Sequence, residues 1–440
     1  MNPYFEGITR RKGSDLKMEK IIVKGGNALN GTVDISGMKN AALPIIYACV
    51  LVGDKCTIEN IPNVRDIALS LKILKGMGAT VNYINETTVE IDCSDIVQGS
   101  SDEKMVQRIR ASYYLLGAEL GRFKKAKVAY PGGCDFGGRP IDQHIKGFEL
   151  IGATVNTDSG FVEMSAEDGL WGTNIFFDVV TVGATINVML AAAMAEGTTI
   201  IENAAREPHI VDLANFLNTC GARISGAGTD VIKIKGVKSL HGSTYAIIPD
   251  MIEAGTYMIA AAATGGCVKL TNVIPKHLES ISAKLEETGA IVEEFDDAVV
   301  VTGRDTIRKA NVKTHPYPGF PTDMQPQMAT LLCLAGGVSY VSEGVYEKRF
   351  RYVDELIKMG ASIKVVGRMA VIEGGLPLRG ASVTAVDLRA GVAMIIAGLC
   401  AEGTTEIGNI HLIERGYDDV VGKFASLGAD IQKITVPDEE

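Results

Sequence analysis

The sequence predicts an α/β (α+β) fold of six βαβαββ repeats, grouped three and three into two domains. Two observations carry this. A segment running from an apolar residue to Gly-Ala-x-apolar recurs as Leu74 to Val81, Phe148 to Val155, Leu217 to Ile224, Leu285 to Val292, Leu356 to Ile363 and Phe424 to Ile431, with its glycines spaced 74, 69, 68, 71 and 68 residues apart. In the same phase, an Ala-rich apolar helix leads to a glycine (Gly53, Gly121, Gly197, Gly265, Gly336, Gly403) and then to a β-branched strand such as Cys56 to Glu59, Thr198 to Glu202 or Val268 to Thr271. Self-similarity at a fixed period is the mark of repeated supersecondary units.

Each unit then reads in order. A strand comes first, followed by the Ala-rich helix, whose near absence of charge over three turns requires burial on almost every side. A second strand follows, then an amphipathic helix stopped by its Gly at C′, then a strand pair. Three such units packing their apolar helices inward make one domain. A solenoid would have shorter repeats and polar end caps, and neither is evident.

Composition narrows the function. With 440 residues, 46% hydrophobic and 22% charged, the chain is neither a single small module nor disordered. The net charge of −10 excludes a general positive field for nucleic acid or an anionic membrane, so cations that meet an anionic ligand must be local. Eight cysteines without CxxC pairing and six scattered histidines give no metal-ligand spacing, and the usage suits reduced, cytoplasmic thiols. No apolar run spans a bilayer, and the first 17 residues read as an extension ahead of Met18.

The chemistry collects where the Ala-rich helices start. Lys39, Arg110, Thr181, Glu253, Asp323 and Arg389 lie 71, 71, 72, 70 and 66 residues apart, at equivalent places in equivalent units. Asn40, Thr181, Thr322 and Asp387 suit N-caps, and Thr322 to Gln325 has a capping-box pattern. Capping does not account for Lys39, Arg110 or Arg389, since a cation at a helix start opposes the macrodipole at a cost of roughly 0.3–1 kcal/mol. A bound anion reverses that sign. These helix starts are therefore expected to face one cleft between the domains that takes a multiply anionic ligand.

A glycine-rich loop, Tyr130 to Pro140, surrounds Cys134 and Arg139. Polar and glycine neighbours set Cys134 apart from the other cysteines, and Arg139 should make its thiol more acidic than the free value of about 8.5. Glu414-Arg415-Gly416-Tyr417 forms a further turn after the sixth unit's strand.

These motifs resemble the enolpyruvyl transferases. The likeness runs from about Met18 onward through Lys39-Asn40, Arg110-Ala111-Ser112, Pro131-Gly-Gly-Cys134 to Arg139-Pro140, Glu202 to Pro208, Phe320 to Gln325, Asp387-Leu388-Arg389 and Glu414 to Tyr417. It implies a two-domain inside-out α/β barrel, pseudo-three-fold in each domain. It also implies transfer of the enolpyruvyl group of phosphoenolpyruvate to the 3-hydroxyl of UDP-N-acetylglucosamine, the first committed step of peptidoglycan synthesis, without metal or cofactor. Carried over by residue, Cys134 is the acid toward the enolpyruvyl methylene and the target of fosfomycin, and Asp323 takes the proton from the sugar hydroxyl. Lys39 contacts phosphoenolpyruvate, and Arg139, Arg389 and Arg415 hold its phosphate and carboxylate. Asn40, Arg110, Arg139, Pro140, Ile141, Asp142, Gln143, Thr181, Val182, Gly183 and Val345 fall at sugar-nucleotide positions, and Arg349 at a substrate-binding one. The nearest rival is the shikimate-pathway transferase, which lacks the Pro-Gly-Gly-Cys loop; a low-activity regulatory paralogue is another. Two positions depart from the family: Val179 stands where Lys is frequent, and Lys348 where Asn is common. The implied domains are residues 39–248, and 18–38 with 249–440, closing over small-molecule substrates, in a monomer or weak homo-oligomer with no nucleic-acid or membrane partner.

Overall fold

The structure, a computed structural model, describes residues 18–130, 140–157 and 160–436. The chain divides into two compact units, one of Gly37–Ile248 and one combining the residues up to Ser36 with those from Pro249 onward. At the centre of the first lie α1 (Lys39–Val52), α2 (Tyr114–Phe123) and α3 (Val182–Ala192), packed on one another. The second is built likewise on α4 (Met251–Thr264), α5 (Gln325–Leu334) and α6 (Leu388–Cys400). Every residue of α1 except Asn40 is buried, as a helix apolar all round must be.

Six small sheets surround these helices, and five share one strand order. In the first repeat the order is Thr244–Ala246, Lys55–Glu59, Val89–Asp92, Thr80–Tyr83, with the first pair parallel and the others antiparallel. The second repeat's sheet, Lys125–Ala129, Phe161–Ser165 and Thr154–Asn156, has three strands among the described residues. Alternating burial, as in Val231–Lys235, turns one face of the strand to the core.

The glycine motif has a single backbone cause. Gly78, Gly152, Gly221, Gly289, Gly360 and Gly428 all have φ between 96° and 108°, a region costly for residues with a Cβ. The following alanine N–H then reaches the carbonyl of the apolar residue that opens the motif, at 2.9 to 3.1 Å in all six copies (Ala79 to Leu74, Ala153 to Phe148, and so on). This is the six-to-one bond of a Schellman stop, and it fixes the motif's spacing.

The second glycine series is less uniform. Gly53 and Gly265 do end α1 and α4 in the left-handed region. Gly121, by contrast, lies inside α2, which runs on to a left-handed Lys124. A Cβ on Gly121 would sit 2.6 Å from Leu51 Cδ1 and 3.1 Å from the Leu190 carbonyl, so this glycine permits close approach of α1 and α3. The repeats are also permuted against the linear reading. Met18–Lys24 completes the sixth sheet, Asn30–Asp34 opens the fourth, and Thr244–Ala246 opens the first.

The strand Lys125–Ala129 leads toward residues 131–139 and is steadied from α2. Glu119, buried, accepts the N–H groups of Gly99 at 3.2 Å and Lys127 at 3.3 Å. Burial pushes its carboxyl up from 4.5 to about 7, against the pull of those N–H groups. The folded state therefore holds this proton more tightly than the unfolded one. The associated stability, on the order of 3 kcal/mol, is complete below pH 4.5 and is lost as pH rises through about 7. Thermal melts should show the wild type losing more stability between pH 5.5 and 8 than a Glu119→Gln variant. Parallel pH profiles for the two would contradict this.

Candidate active site

In the unit Gly37–Ile248, Lys39 opens α1 after Met38, an extended residue that makes no side-chain cap. Asn40 is thus the second helical residue and not the expected cap, because the pre-helical place is already taken. The Lys39 ammonium, buried, lies 3.2 Å from Asp66 Oδ2. The cation at this helix start accordingly has a counter-ion inside the fold. Arg110 begins a short helical turn, Arg110–Tyr113, that feeds α2, and its guanidinium lies 5.5 Å from the Tyr113 ring centre.

Thr181 caps α3 as expected, accepting the Ala184 N–H. Beside it, Gln143 donates to Asp142 Oδ2 at 2.8 Å and Asp178 Oδ2 at 3.1 Å, and accepts the Asp178 N–H at 2.9 Å. Lys146 is 2.9 Å from both Asp178 oxygens, which places an ammonium beside exposed Val179. His144, in sequence one of several scattered histidines, sits among these residues. A Cβ on Gly183 would lie 2.7 Å from its Nε2, and its ring is 6.2 Å from that of Tyr113. Burial first, then the Arg110 cation, lowers its pKa to about 4, leaving a neutral imidazole beside the start of α3. Its place directly after Asp142-Gln143 is the one sequence signal that marks it. Pro140, Ile141, Val182 and Gly183 are exposed or half-exposed at the same place. Cys134 and Arg139 lie outside the described residues.

In the other unit the geometry centres on Asp323, in the turn Thr322–Met324 that leads into α5. Its Oδ1 is 3.0 Å from Arg349 Nη2, and its Oδ2 is 3.1 Å from both Nε and Nη2 of Arg389. The Asp323 side chain keeps 28% of its surface exposed, while Arg349 keeps 1% and Arg389 3%, so the carboxylate is open and its cations are not. Arg389 is the second residue of α6, capped by Asp387, which accepts the N–H groups of Arg389 at 2.8 Å and Ala390 at 2.9 Å. Burial opposes the Arg389 charge, but Tyr417, Asp323 and Asp250 around it raise its pKa. The guanidinium carbon stands 5.2 Å over the Tyr417 ring. Tyr417 in turn hydrogen-bonds Thr256 at 2.9 Å and Gln327 at 3.3 Å.

Thr322 does not cap α5. Pro321 takes the extended position, and the Thr322 hydroxyl donates instead to Glu343 Oε2 at 3.0 Å. Glu343 Oε1 accepts the N–H groups of Val345 and Tyr346, which shapes the loop carrying exposed Val345. The capping box also fails at its other end, since both amide atoms of buried Gln325 lack a hydrogen-bond partner among the described residues. Glu253 pairs with Lys423 at 2.6 Å and accepts the Ser36 N–H at 2.9 Å. Arg415 ends the turn Ile410–Arg415, half-exposed, and Lys348 is exposed ahead of Arg349. An Asp387→Ala variant should lose about 1 kcal/mol of stability, read by thermal melting, because two N–H groups at the start of α6 lose their acceptor. An unchanged melt would contradict that role.

One unit presents a carboxylate between two buried arginines, and the other carries Lys39 and Arg110 at its helix starts; the carboxylate can take a proton, and the cations suit an anionic substrate. Residues 23–424 match the family model for EPSP synthase (3-phosphoshikimate 1-carboxyvinyltransferase). The chain belongs to the EPSP synthase family. Within this enolpyruvyl transferase family, it is 57% identical over 418 residues to a UDP-N-acetylglucosamine 1-carboxyvinyltransferase of Clostridium botulinum, covering 95% of this chain and 100% of that one. A second protein of that name, from Clostridium acetobutylicum, is 56% identical over 417 residues, covering 94% and 99%. The enolpyruvyl transferase NikO from Streptomyces tendae has a similar crystal structure, with TM-score 0.86 and 27% identity over 96% of this chain and all of that one. An EPSP synthase from Acinetobacter baumannii, at TM-score 0.74 and 18% identity over 94% of this chain and all of that one, shares the fold.

Proposed function

We propose that this chain transfers the enolpyruvyl group of phosphoenolpyruvate to the 3-hydroxyl of UDP-N-acetylglucosamine, releasing phosphate, as the first committed step of peptidoglycan synthesis. The observation that carries this reading is the near full-length identity to proteins named for that reaction.

The reaction has two halves. In the first, the sugar oxygen bonds to C2 of phosphoenolpyruvate, its proton leaves, and a proton is delivered to the C3 methylene, giving a tetrahedral intermediate. In the second, phosphate leaves C2 and a C3 proton is removed to restore the double bond. Asp323, an open carboxylate, is the proposed acceptor of the hydroxyl proton, and Cys134 the proposed donor to carbon. An acid and a base so placed each contribute roughly 10²–10⁴-fold. Arg389, Arg415, Arg139 and Lys39 are proposed to meet the phosphate and carboxylate, stabilising charge as it develops on the leaving group. Arg110, Gln143 and the start of α3 at Thr181–Gly183 are proposed to hold the sugar nucleotide, and helix-start N–H groups suit its diphosphate. Asn40 and Val345 are proposed to meet the sugar nucleotide, and Arg349 is proposed as a further substrate-binding residue.

No helix of the described residues is long and apolar enough to cross a membrane, and a cytoplasmic site of action is part of the proposal. Phosphate release from phosphoenolpyruvate should require UDP-N-acetylglucosamine and should not be supported by shikimate 3-phosphate. Release with shikimate 3-phosphate alone would transfer the assignment to the other branch. Fosfomycin should add one covalent label at Cys134, read by peptide mass spectrometry, and a label elsewhere would remove Cys134 from the mechanism.

A further inference from the structure

Four of the cysteines gather in the unit Gly37–Ile248, away from the residues assigned above. Cys49 lies in α1, Cys56 on the strand Lys55–Glu59, Cys93 just past the strand Val89–Asp92, and Cys220 at the end of the helix Pro208–Thr219. All four are buried, and all are free thiols.

The topology brings two of them onto one residue. Lys55–Glu59 pairs in parallel with Thr244–Ala246, and the Thr57 N–H donates to the Ser243 carbonyl at 2.9 Å, which sets Cys56 beside Ser243. From the other side, Cys220 Sγ lies 3.2 Å from Ser243 Oγ, while the His241 N–H holds the Cys220 carbonyl at 3.0 Å. Cys56 and Cys220 thus stand on either side of Ser243, near enough that each thiol alters the other's proton affinity, and Cys49 acts on Cys56 in the same way. Cys49 is otherwise engaged, its thiol donating to the Ile45 carbonyl at 3.4 Å within the helix. Cys220 lies at a helix end: it follows the last helical residue and precedes Gly221, the left-handed stop. It is also nearer solvent, with half-buried Ser243 and exposed His241 against it.

We propose that Cys56 and Cys220 form an oxidisable pair that closes to a disulfide when the protein meets a peroxide. Cys220 gives its sulfur's electron pair to hydrogen peroxide, yielding a sulfenic acid and one water. Cys56 then attacks that sulfur, forming the S–S bond and releasing the second water, so that two thiols supply the two electrons the peroxide takes up. The bond would tie a strand near the start of this unit to a segment near its end.

The neighbouring Cys56 thiol and burial hold Cys220 above the ordinary thiol range. Cys220 pulls Cys56 down, but Cys49 and burial together outweigh it and hold Cys56 above that range as well. Both are therefore neutral at rest, and reaction proceeds through local opening, more slowly than at exposed Cys267.

The full-length protein is treated with hydrogen peroxide, denatured, alkylated with iodoacetamide, digested and mapped by mass spectrometry. The expected result is a peptide linked through Cys56 and Cys220, a loss of alkylation at both of these positions reversed by dithiothreitol, and severalfold faster formation in sub-denaturing urea. Cys56→Ser and Cys220→Ser should each abolish the link, with Cys267→Ser leaving it intact. If Cys56 and Cys220 are both recovered alkylated after Cys267 has oxidised, with and without urea, the proposal fails. It also fails if either is linked to a different cysteine. The wild-type peptide map separates these outcomes even where a serine variant does not fold.

Discussion

Asp323→Asn should lower kcat by about 10²–10⁴-fold while leaving KM for the sugar nucleotide within about tenfold, because a side chain of the same shape replaces the proposed proton acceptor. A second effect should accompany it. Arg349 and Arg389 are almost completely buried, and Asp323 stands 3.0 to 3.1 Å from both. Removing the carboxylate leaves two buried guanidinium groups short of their counter-charge. Loss of one partner from a buried pair typically costs about 3–5 kcal/mol, which for a unit of this size lowers its melting temperature by on the order of 10 °C. The two effects separate cleanly. A residue that only held the arginines would give a destabilised protein whose folded fraction still turned over normally. A kcat within tenfold of wild type at a temperature where the variant is folded would remove Asp323 from the chemistry.

Lys39→Met should be as damaging for a different reason. Lys39 and Asp66 are paired in the interior, at 7% and 5% exposure, so the single variant leaves the Asp66 carboxylate without the ammonium, again at about 3–5 kcal/mol. The double variant Lys39→Met/Asp66→Asn removes both charges. Most of the lost stability should return, since an apolar and polar pair of similar volume can replace a buried ion pair at little net cost. Phosphate release should not return, because the proposed phosphoenolpyruvate contact is still missing. Turnover recovered along with the melting temperature would mean that Lys39 acts only through packing.

The parts of this molecule that are legible in the sequence are those governed by a few adjacent residues. The six Gly-Ala stops can be read because a left-handed glycine and a six-to-one hydrogen bond together fix the spacing from Leu74 to Ala79 and its five copies. Thr181 and Asp387 can be read as caps for the same local reason. Asn40 and Thr322 mislead because a cap must hold the extended position before the helix, and Met38 and Pro321 hold it. Gly121 misleads because close packing and helix termination both favour glycine. Strand partnership is hidden, since alternation tells which face of a strand is buried but not which distant strand lies beside it. At the site, the even spacing of Asp323 and Arg389 marks their equivalence, yet only the fold shows them in contact. The surroundings of His144 depend on Arg110, Tyr113 and Gly183 together, and no single stretch of chain displays them.

The strand Met18–Lys24 lies between Thr404–Gly408 and Asp430–Val436, and this has a temporal consequence. On the ribosome, which adds about 5–20 residues per second, this segment is made long before either of its neighbours. The unit Gly37–Ile248 has its closing strand, Thr244–Ala246, long before then and can fold as a finished body. Asn30–Asp34 must wait unpaired until Cys267–Thr271 is made, and Met18–Lys24 until Thr404–Gly408 is made, with their hydrogen-bonding edges open to any other chain. Lys20 and Lys24 bracket the apolar run Ile21-Ile22-Val23 and keep charge at both ends of it while the strand waits, as sequences do where a strand must remain single.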